Sequence, residues 1–323
     1  MQKYKKILIT GANSFLGTNV ALELAHRGIN ARAIVRHSNA TIEGIETLEI
    51  FNGNVSHLPD LERAADGCDC IVHIASITDQ ALPRYELYRR FNVSVISNVI
   101  AAARHCGIRR VIYVSSANTI GNGTSPDDLG DELRVARPPF SRMLYGRSKV
   151  EAEAILRYAT DLDYTILNPT FMLGAHDSKP SSGAIIMMGY ARRVIFAPPG
   201  GKNIVSVRAA AHALCNAIED GGRGEKYLLA GENISVRDFF KLLNPRARVI
   251  VIPRLLLITA GYFGDILRFL GVHIPLSANN MRVICEMEYY TAAKATRELG
   301  LEPTSIKGSI AEAVDWFKAH GML

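Results

Sequence analysis

The sequence predicts an α/β fold, a doubly wound parallel sheet carrying a smaller, mostly helical C-terminal lobe. Three observations predict it. Apolar β-type runs alternate with helical patterns through the first half of the chain, and parallel neighbours need such crossovers. A glycine-bearing turn, Thr10-Gly-Ala-Asn-Ser-Phe-Leu-Gly17, joins the first strand to the first helix. Past Pro169 the alternation breaks up, with Gly, Ser and Pro clustered at 174–183 and 197–203.

In order, strands are expected at 6–10, 31–36, 47–51, 70–74, 110–114 and 163–167. Helices are expected at 15–27 (ended by Gly28), 57–66, 84–106 (ended by Gly107) and 143–160. Beyond the break, short strands at 204–207 and 226–229 flank a helix at 209–218, and Ser235 N-caps another helix. Residues 1–170 form the main layer, 204–229 return to it, and 171–203 with 230–323 make the lobe. The uncharged run 255–264, continued by Asp265-Ile-Leu-Arg-Phe-Leu270, has two readings. It is a helix packed on the lobe's core, or an apolar lid that shapes a hydrophobic pocket or touches a membrane surface. The last helix, 306–319, is amphipathic, with Ser309 as its cap and Trp316 as a packing anchor.

Net charge is +6 and the pI near 9.1, which suits an anionic ligand. The arginine doublets at 89–90, 109–110 and 192–193 are isolated, and no basic stripe with interleaved aromatics appears, which excludes a nucleic-acid binder. Five cysteines, an odd count without a C-x-x-C pair, read as reduced buried thiols and a cytoplasmic protein. The sequence has no apolar run of 18 residues, so no membrane span is expected, and no metal-ligand spacing stands out.

Strand, glycine turn and helix together make a phosphate cradle. N–H groups at the helix N-terminus and the positive end of its dipole hold a pyrophosphate. The second chemical signal is Tyr145-Gly-Arg-Ser-Lys149. Four apart on a helix, Tyr145 and Lys149 share a face, and an ammonium beside a phenol lowers its pKa toward useful acid–base chemistry. Ser115-Ser116, at the end of the fifth strand, supplies a hydroxyl for a substrate oxygen, or else is a turn-forming pair. Arg36 closes the second strand, where a guanidinium pairs with a ribose 2′-phosphate or simply meets solvent.

These residues resemble the extended short-chain dehydrogenases/reductases, a Rossmann-type family of NAD(P)-dependent epimerases and dehydratases. The tail Lys294-Ala-Thr-Arg-Glu-Leu-Gly-Leu-Glu-Pro is similar to the dihydroflavonol-reductase-like and 3β-hydroxysteroid-dehydrogenase-like branch. The resemblance implies that Tyr145 is the acid/base, Lys149 lowers its pKa, Ser116 orients the carbonyl or alcohol, and Asn92 supports the lysine through water. It implies a cofactor site made of Gly11, Asn13, Ser14, Phe15, Leu16, Gly17, Arg36, Ser38, Asn54, Val55, Ile74, Ala75, Ser76, Asn92, Ser115, Tyr145, Lys149, Asn168, Pro169 and Thr170. NADP(H) is favoured by Arg36, with NAD(H) the alternative. Three positions depart from the family pattern: Ser14 replaces a glycine, Asn54 an adenine-binding aspartate, and Val207-Arg-Ala-Ala lacks the usual acid.

The expected activity is hydride transfer between nicotinamide and a carbonyl or secondary alcohol of a small, hydrophobic substrate. A nucleotide-sugar epimerase or dehydratase retaining NAD is the alternative, with Arg192, Arg193, Lys202 or Arg208 docking a pyrophosphate. A catalytically silent nucleotide-binding regulator is the third reading. By the same resemblance, the chain forms a homodimer through its two long helices.

Overall fold

β1 (Lys6–Thr10) is an interior strand of the main sheet, and its last four residues are buried, as a strand covered on both faces requires. In the computed structural model, which describes residues 4–80, 82, 84–270, 272 and 276–323, six further strands complete this sheet. They are β2 (Asn30–Val35), β3 (Leu48–Asn52), β4 (Cys70–His73), β5 (Arg110–Val114), β6 (Asp163–Pro169) and β10 (Lys226–Leu229). The order β10-β6-β5-β4-β1-β2-β3 is parallel throughout and reverses between β1 and β4. Ligands of open α/β sheets bind at such a switch point, outside the carboxyl ends of the strands. Thr10 and His73, register partners, mark it here.

Helices cover both faces. Phe15–His26 and Val207–Asp220 pack on one side, and Leu58–Ala65, Ser94–His105 and Leu144–Arg157 on the other. The expected 84–106 helix is interrupted by a π-helical turn, Arg89–Val93. The lobe holds β7 (Phe171–Leu173), β8 (Val194–Ala197), β9 (Gly201–Ser206), β11 (Glu232–Ser235) and β12 (Arg248–Val251). They form one sheet of order β11-β9-β7 and one β12-β8 pair, with helices Ala184–Gly189, Val236–Leu243 and Ile306–Ala319 around Ile186, Phe239, Phe240 and Phe317. Ser235 caps Val236–Leu243 as expected, accepting from the Asp238 N–H at 3.0 Å.

Several expectations are corrected. Residues 204–206 belong to β9 and pair with β7 and β11, so the chain re-enters the main layer at Val207, where Ser206 caps the next helix. Ser305, not Ser309, caps the last helix: its hydroxyl accepts from the Gly308 N–H at 3.1 Å, while Ser309 donates to the Ser305 carbonyl one turn in. Trp316 does pack, stacked on His320 with ring centroids 4.1 Å apart.

The helix Arg254–Phe269 does not lie in the lobe's core. It buries Gly261 and Gly264, where an added Cβ would meet Ala278 Cα at 2.7 Å and Leu276 O at 2.5 Å. Those contacts bring it tightly against 276–284. Its other face is open to solvent, with Leu255, Phe263, Ile266 and Phe269 (90% exposed) along it. No helix among the described residues is long and apolar enough to cross a membrane. All five cysteines are free, and burial raises Cys68 to about 11 and Cys70 to about 12, which makes them inert packing residues.

Candidate active site

The glycine turn is built to close contacts. Gly11 has φ +75°, and a Cβ there would meet the Ala75 nitrogen at 2.8 Å; one on Gly17 would meet the Gly11 carbonyl oxygen at 2.0 Å. Ser14, the departure from the family glycine, is the N-cap of Phe15–His26. Its hydroxyl donates to the Gly11 carbonyl at 2.7 Å and accepts from the Gly17 N–H at 3.2 Å, so the side chain closes the turn on itself. Asn13 ties the turn to the end of β2 by donating to the His37 carbonyl at 2.9 Å.

At the switch point, Thr10 Oγ1 accepts from the Ile74 and Ala75 N–H groups, both at 3.2 Å, and lies 2.7 Å from His73 Nδ1. With its lone pairs engaged, the hydroxyl proton goes to Nδ1. Burial pushes His73 down to about 3, which keeps the ring neutral and able to accept it. The segment 74–76 is thereby held beside the glycine turn.

A cleft of about 810 Å³ runs from this turn to the lobe. Of the expected residues, Asn13, Ser14, Phe15, Leu16, Ile74, Ser76, Ser115, Ser116, Tyr145, Pro169 and Thr170 line it. Lys149, Asn92 and Asn168 stand buried around it. Arg36 is exposed one residue past β2, and Ser38 bonds Glu43. Val55 packs partly into the core under the sheet. Asn54 is exposed, and its Oδ1 already accepts from the Ser56 N–H at 3.0 Å. The amide thus shapes its own turn, and one lone pair remains for a ligand. Arg36, Ser38, Asn54 and Val55 stand outside the cleft lining.

Tyr145 and Lys149 both come from the helix Leu144–Arg157, and both are buried, at 6% and 1% exposure. Their electrostatics differ from the expectation. Burial pushes the Tyr145 phenol up to about 12, against the opposing hydrogen bond from Ser116. Lys149 does not pull it below its ordinary value. The lysine Nζ instead donates to the Val114 carbonyl at 2.9 Å, over the Tyr113 ring, and burial pushes it down to about 7. Desolvation outweighs the attraction between neighbours that the spacing suggested.

This lysine makes stability depend on pH. From about pH 7 up to the ordinary lysine range, the unfolded chain keeps a proton that the folded protein has released. The unfolded state then binds more protons, so stability rises with pH across that window. Urea unfolding of Lys149→Met should lack this upward slope between about pH 7 and pH 9. Above that, the buried thiols contribute with the opposite sign, because burial raises them.

Asn92 lies in the π-turn, a device that re-aims side chains at functional sites. Its Oδ1 accepts from the Ile77 N–H at 2.8 Å and its Nδ2 donates to Ser148 Oγ at 3.0 Å. It therefore clamps the loop after β4 to the Tyr145 helix, and its direct partner there is Ser148, not Lys149. Asn168 Nδ2 lies within 3.0 Å of the Ser116 carbonyl, Thr119 Oγ1 and Glu153 Oε1, while its buried Oδ1 has no partner. Sequence reasoning missed Glu153, although it continues the Tyr145–Lys149 face by one more turn. Also missed were Phe140 and the lobe residues Phe171, Met172, Val283, Glu288 and Tyr290 of the cleft, while Lys202, expected as a pyrophosphate-docking cation, does line it.

The donor set fits a dinucleotide. A helix N-terminus with its first-turn N–H groups faces the cleft at Phe15 and Leu16, and the glycines leave its approach free of side chains.

Comparison with known proteins agrees. The sequence profile of the NAD dependent epimerase/dehydratase family matches residues 7–197. The chain is 30% identical to "Sterol demethylase protein B" of Methylococcus capsulatus over 98% of its own length and 99% of that protein's. It is 31% identical to a "Putative dihydroflavonol 4-reductase" of Synechocystis over 97% and 94%. Among solved structures, that of gox2253 superposes with a TM-score of 0.84 at 27% identity, covering 99% of both chains. With glycine turn, switch-point cleft and near full-length relatives in agreement, the chain belongs to the NAD-dependent epimerase/dehydratase family, as an NAD(P)-dependent oxidoreductase of the extended short-chain dehydrogenase/reductase type.

Proposed function

We propose that the protein is an NADP(H)-dependent oxidoreductase interconverting a carbonyl and a secondary alcohol on a substrate with an apolar body, with Tyr145 as the acid/base. The observation that carries this is the buried Tyr145 phenol, which lines the same cleft as Ser116 and the glycine turn. Phe171, Met172, Val283 and Tyr290 give the lobe side of that cleft an apolar character, and Phe140 of the main layer packs with Val283. The names of two similar relatives, a sterol demethylase protein and a dihydroflavonol reductase, accord with it.

The dinucleotide, when bound, supplies or takes up the hydride. Gly11, Gly17 and the first turn of Phe15–His26 would hold its pyrophosphate. Ile74, Ala75 and Ser76 with Pro169 and Thr170 would line its path, and Arg36 with Ser38 would meet a 2′-phosphate. Asn54 and Val55 would flank the adenine. Ser116 orients the substrate oxygen. Tyr145, held protonated by burial, is a proton donor at neutral pH, which suits the reductive direction. Donation leaves a phenolate, and a charged Lys149 one turn away stabilises it.

The nucleotide-sugar reading is less well supplied. Of the four cations expected to dock a pyrophosphate, only Lys202 lines the cleft, and Glu288 already pairs with it. Arg208 pairs with Glu312 at 2.8 Å. The exposed Leu87, Val150 and Tyr158, on or next to the helices of the second layer, support a homodimer through that layer. The open face of Arg254–Phe269 supports peripheral contact with a membrane, and the reduced thiols support a cytoplasmic setting.

Paired titrations with NADPH and NADH test the cofactor. Arg36→Ala should weaken NADPH about tenfold, or about 1.4 kcal/mol, and leave NADH unchanged. Equal affinities in the wild type would remove the NADP(H) assignment and favour the epimerase reading.

A further inference from the structure

Behind the cleft wall lies a charge that the proposed chemistry has not used. Glu153 is 3% exposed, on the same helix as Tyr145 and Lys149 and one turn beyond the lysine. Its Oε1 accepts from Ser115 Oγ at 2.5 Å, Thr119 Oγ1 at 2.8 Å and Asn168 Nδ2 at 2.9 Å. Its Oε2 pairs with Lys226 Nζ of β10 at 2.6 Å and lies 3.5 Å from Arg157. One carboxylate thus joins the end of β5, the turn after it, the end of β6, β10 and the Tyr145 helix. Asn168 Nδ2 lies 3.0 Å from the Ser116 carbonyl as well. The backbone that presents the Ser116 hydroxyl is therefore pinned through Glu153.

We propose that Glu153 is a positioning residue of the reaction: its buried carboxylate fixes the Ser115–Ser116 turn and supplies the negative charge that Lys149 faces along the helix. The inference rests on the acid/base reading of Tyr145 and Lys149. The groups around the lysine are few. His73 from β4 and Tyr113 from β5 face it, and Tyr145 and Glu153 flank it on its own helix. His73 is neutral, and burial holds both phenols protonated at neutral pH. Glu153 is then the anion of that set. Its attraction opposes the desolvation that pushes Lys149 down to about 7. Lys226, the pair of Glu153, lowers the carboxyl's own pKa and keeps it ionised despite burial.

The experiment reads Lys149 directly. In protein labelled with ¹³Cε-lysine, its resonance is assigned by its loss in Lys149→Arg and followed against pH in wild type and Glu153→Gln. The glutamine keeps the shape and most of the hydrogen bonds but not the charge. The Lys149 titration should move to lower pH by at least about half a unit, and the alkaline limb of reductive kcat should move with it. Glu153→Gln leaves Lys226 unpaired, so the double variant Glu153→Gln/Lys226→Met guards against simple unfolding and should show the same displacement. A lowered kcat with an unmoved lysine titration would reduce Glu153 to a structural support and overturn the proposal. A moved titration alongside a fully active Tyr145→Phe would leave Glu153's influence standing and remove the acid/base reading instead.

Discussion

Tyr145→Phe should bind NADPH as tightly as the wild type and lose about 10²–10⁴-fold in kcat, the usual worth of a positioned general acid. The substitution deletes one oxygen from a ring that is 6% exposed and packed near Tyr88, with ring centroids 6.3 Å apart. Phenylalanine fills that space without a new contact, so the fold and the glycine turn are untouched. The loss falls on the proton transfer alone. Binding is followed by nucleotide fluorescence and turnover by oxidation of NADPH with a panel of apolar ketones. Unchanged turnover would place the proton donor elsewhere.

Gly17→Ala should cost about 2 kcal/mol or more of stability and at least about tenfold in nucleotide affinity. The new methyl would stand 2.0 Å from the Gly11 carbonyl oxygen and 2.9 Å from Ala12 Cα, and both are backbone atoms. A flexible side chain could swing aside, but here the turn itself must shift. The shift breaks the Ser14 cap and turns the first-turn N–H groups away from the cleft. Thermal unfolding of the free protein and an NADPH titration read the two effects separately. Wild-type affinity in this variant would show that the turn does not hold the pyrophosphate.

Much of this was legible in the sequence because it is local. The order of strands and helices through β6 followed from periodicity, and the cradle and the Tyr145–Lys149 pair from spacing. What was not legible depends on distant partners. The strand at 204–206 looks the same from either sheet, and only its pairing with β7 and β11 assigns it to the lobe. The helix Arg254–Phe269 shows two faces in its sequence, but which one packs is decided by Gly261 and Gly264 meeting 276–278. The state of Tyr145 and Lys149 turns on burial, which a four-residue spacing does not report. Glu153 was in plain view one turn on, but its worth comes from Ser115, Asn168 and Lys226, which the fold assembles from three other strands and their ends.

The interleaving of the two lobes has a consequence for how the molecule comes apart. A single residue, Thr170, separates β6 of the main sheet from β7 of the lobe, and β9 runs directly into the helix Val207–Asp220. Two residues then separate β10 from β11, so the chain crosses between lobes three times within 66 positions, from 170 to 235. None of these crossings is long enough to act as a free linker. Fraying β7 or β9 would pull on β6 and on the helix Val207–Asp220, which packs on β5 and β6. Opening and unfolding should therefore be coupled, and native-state amide exchange is expected to place the slowest amides of both lobes in one cooperative unit.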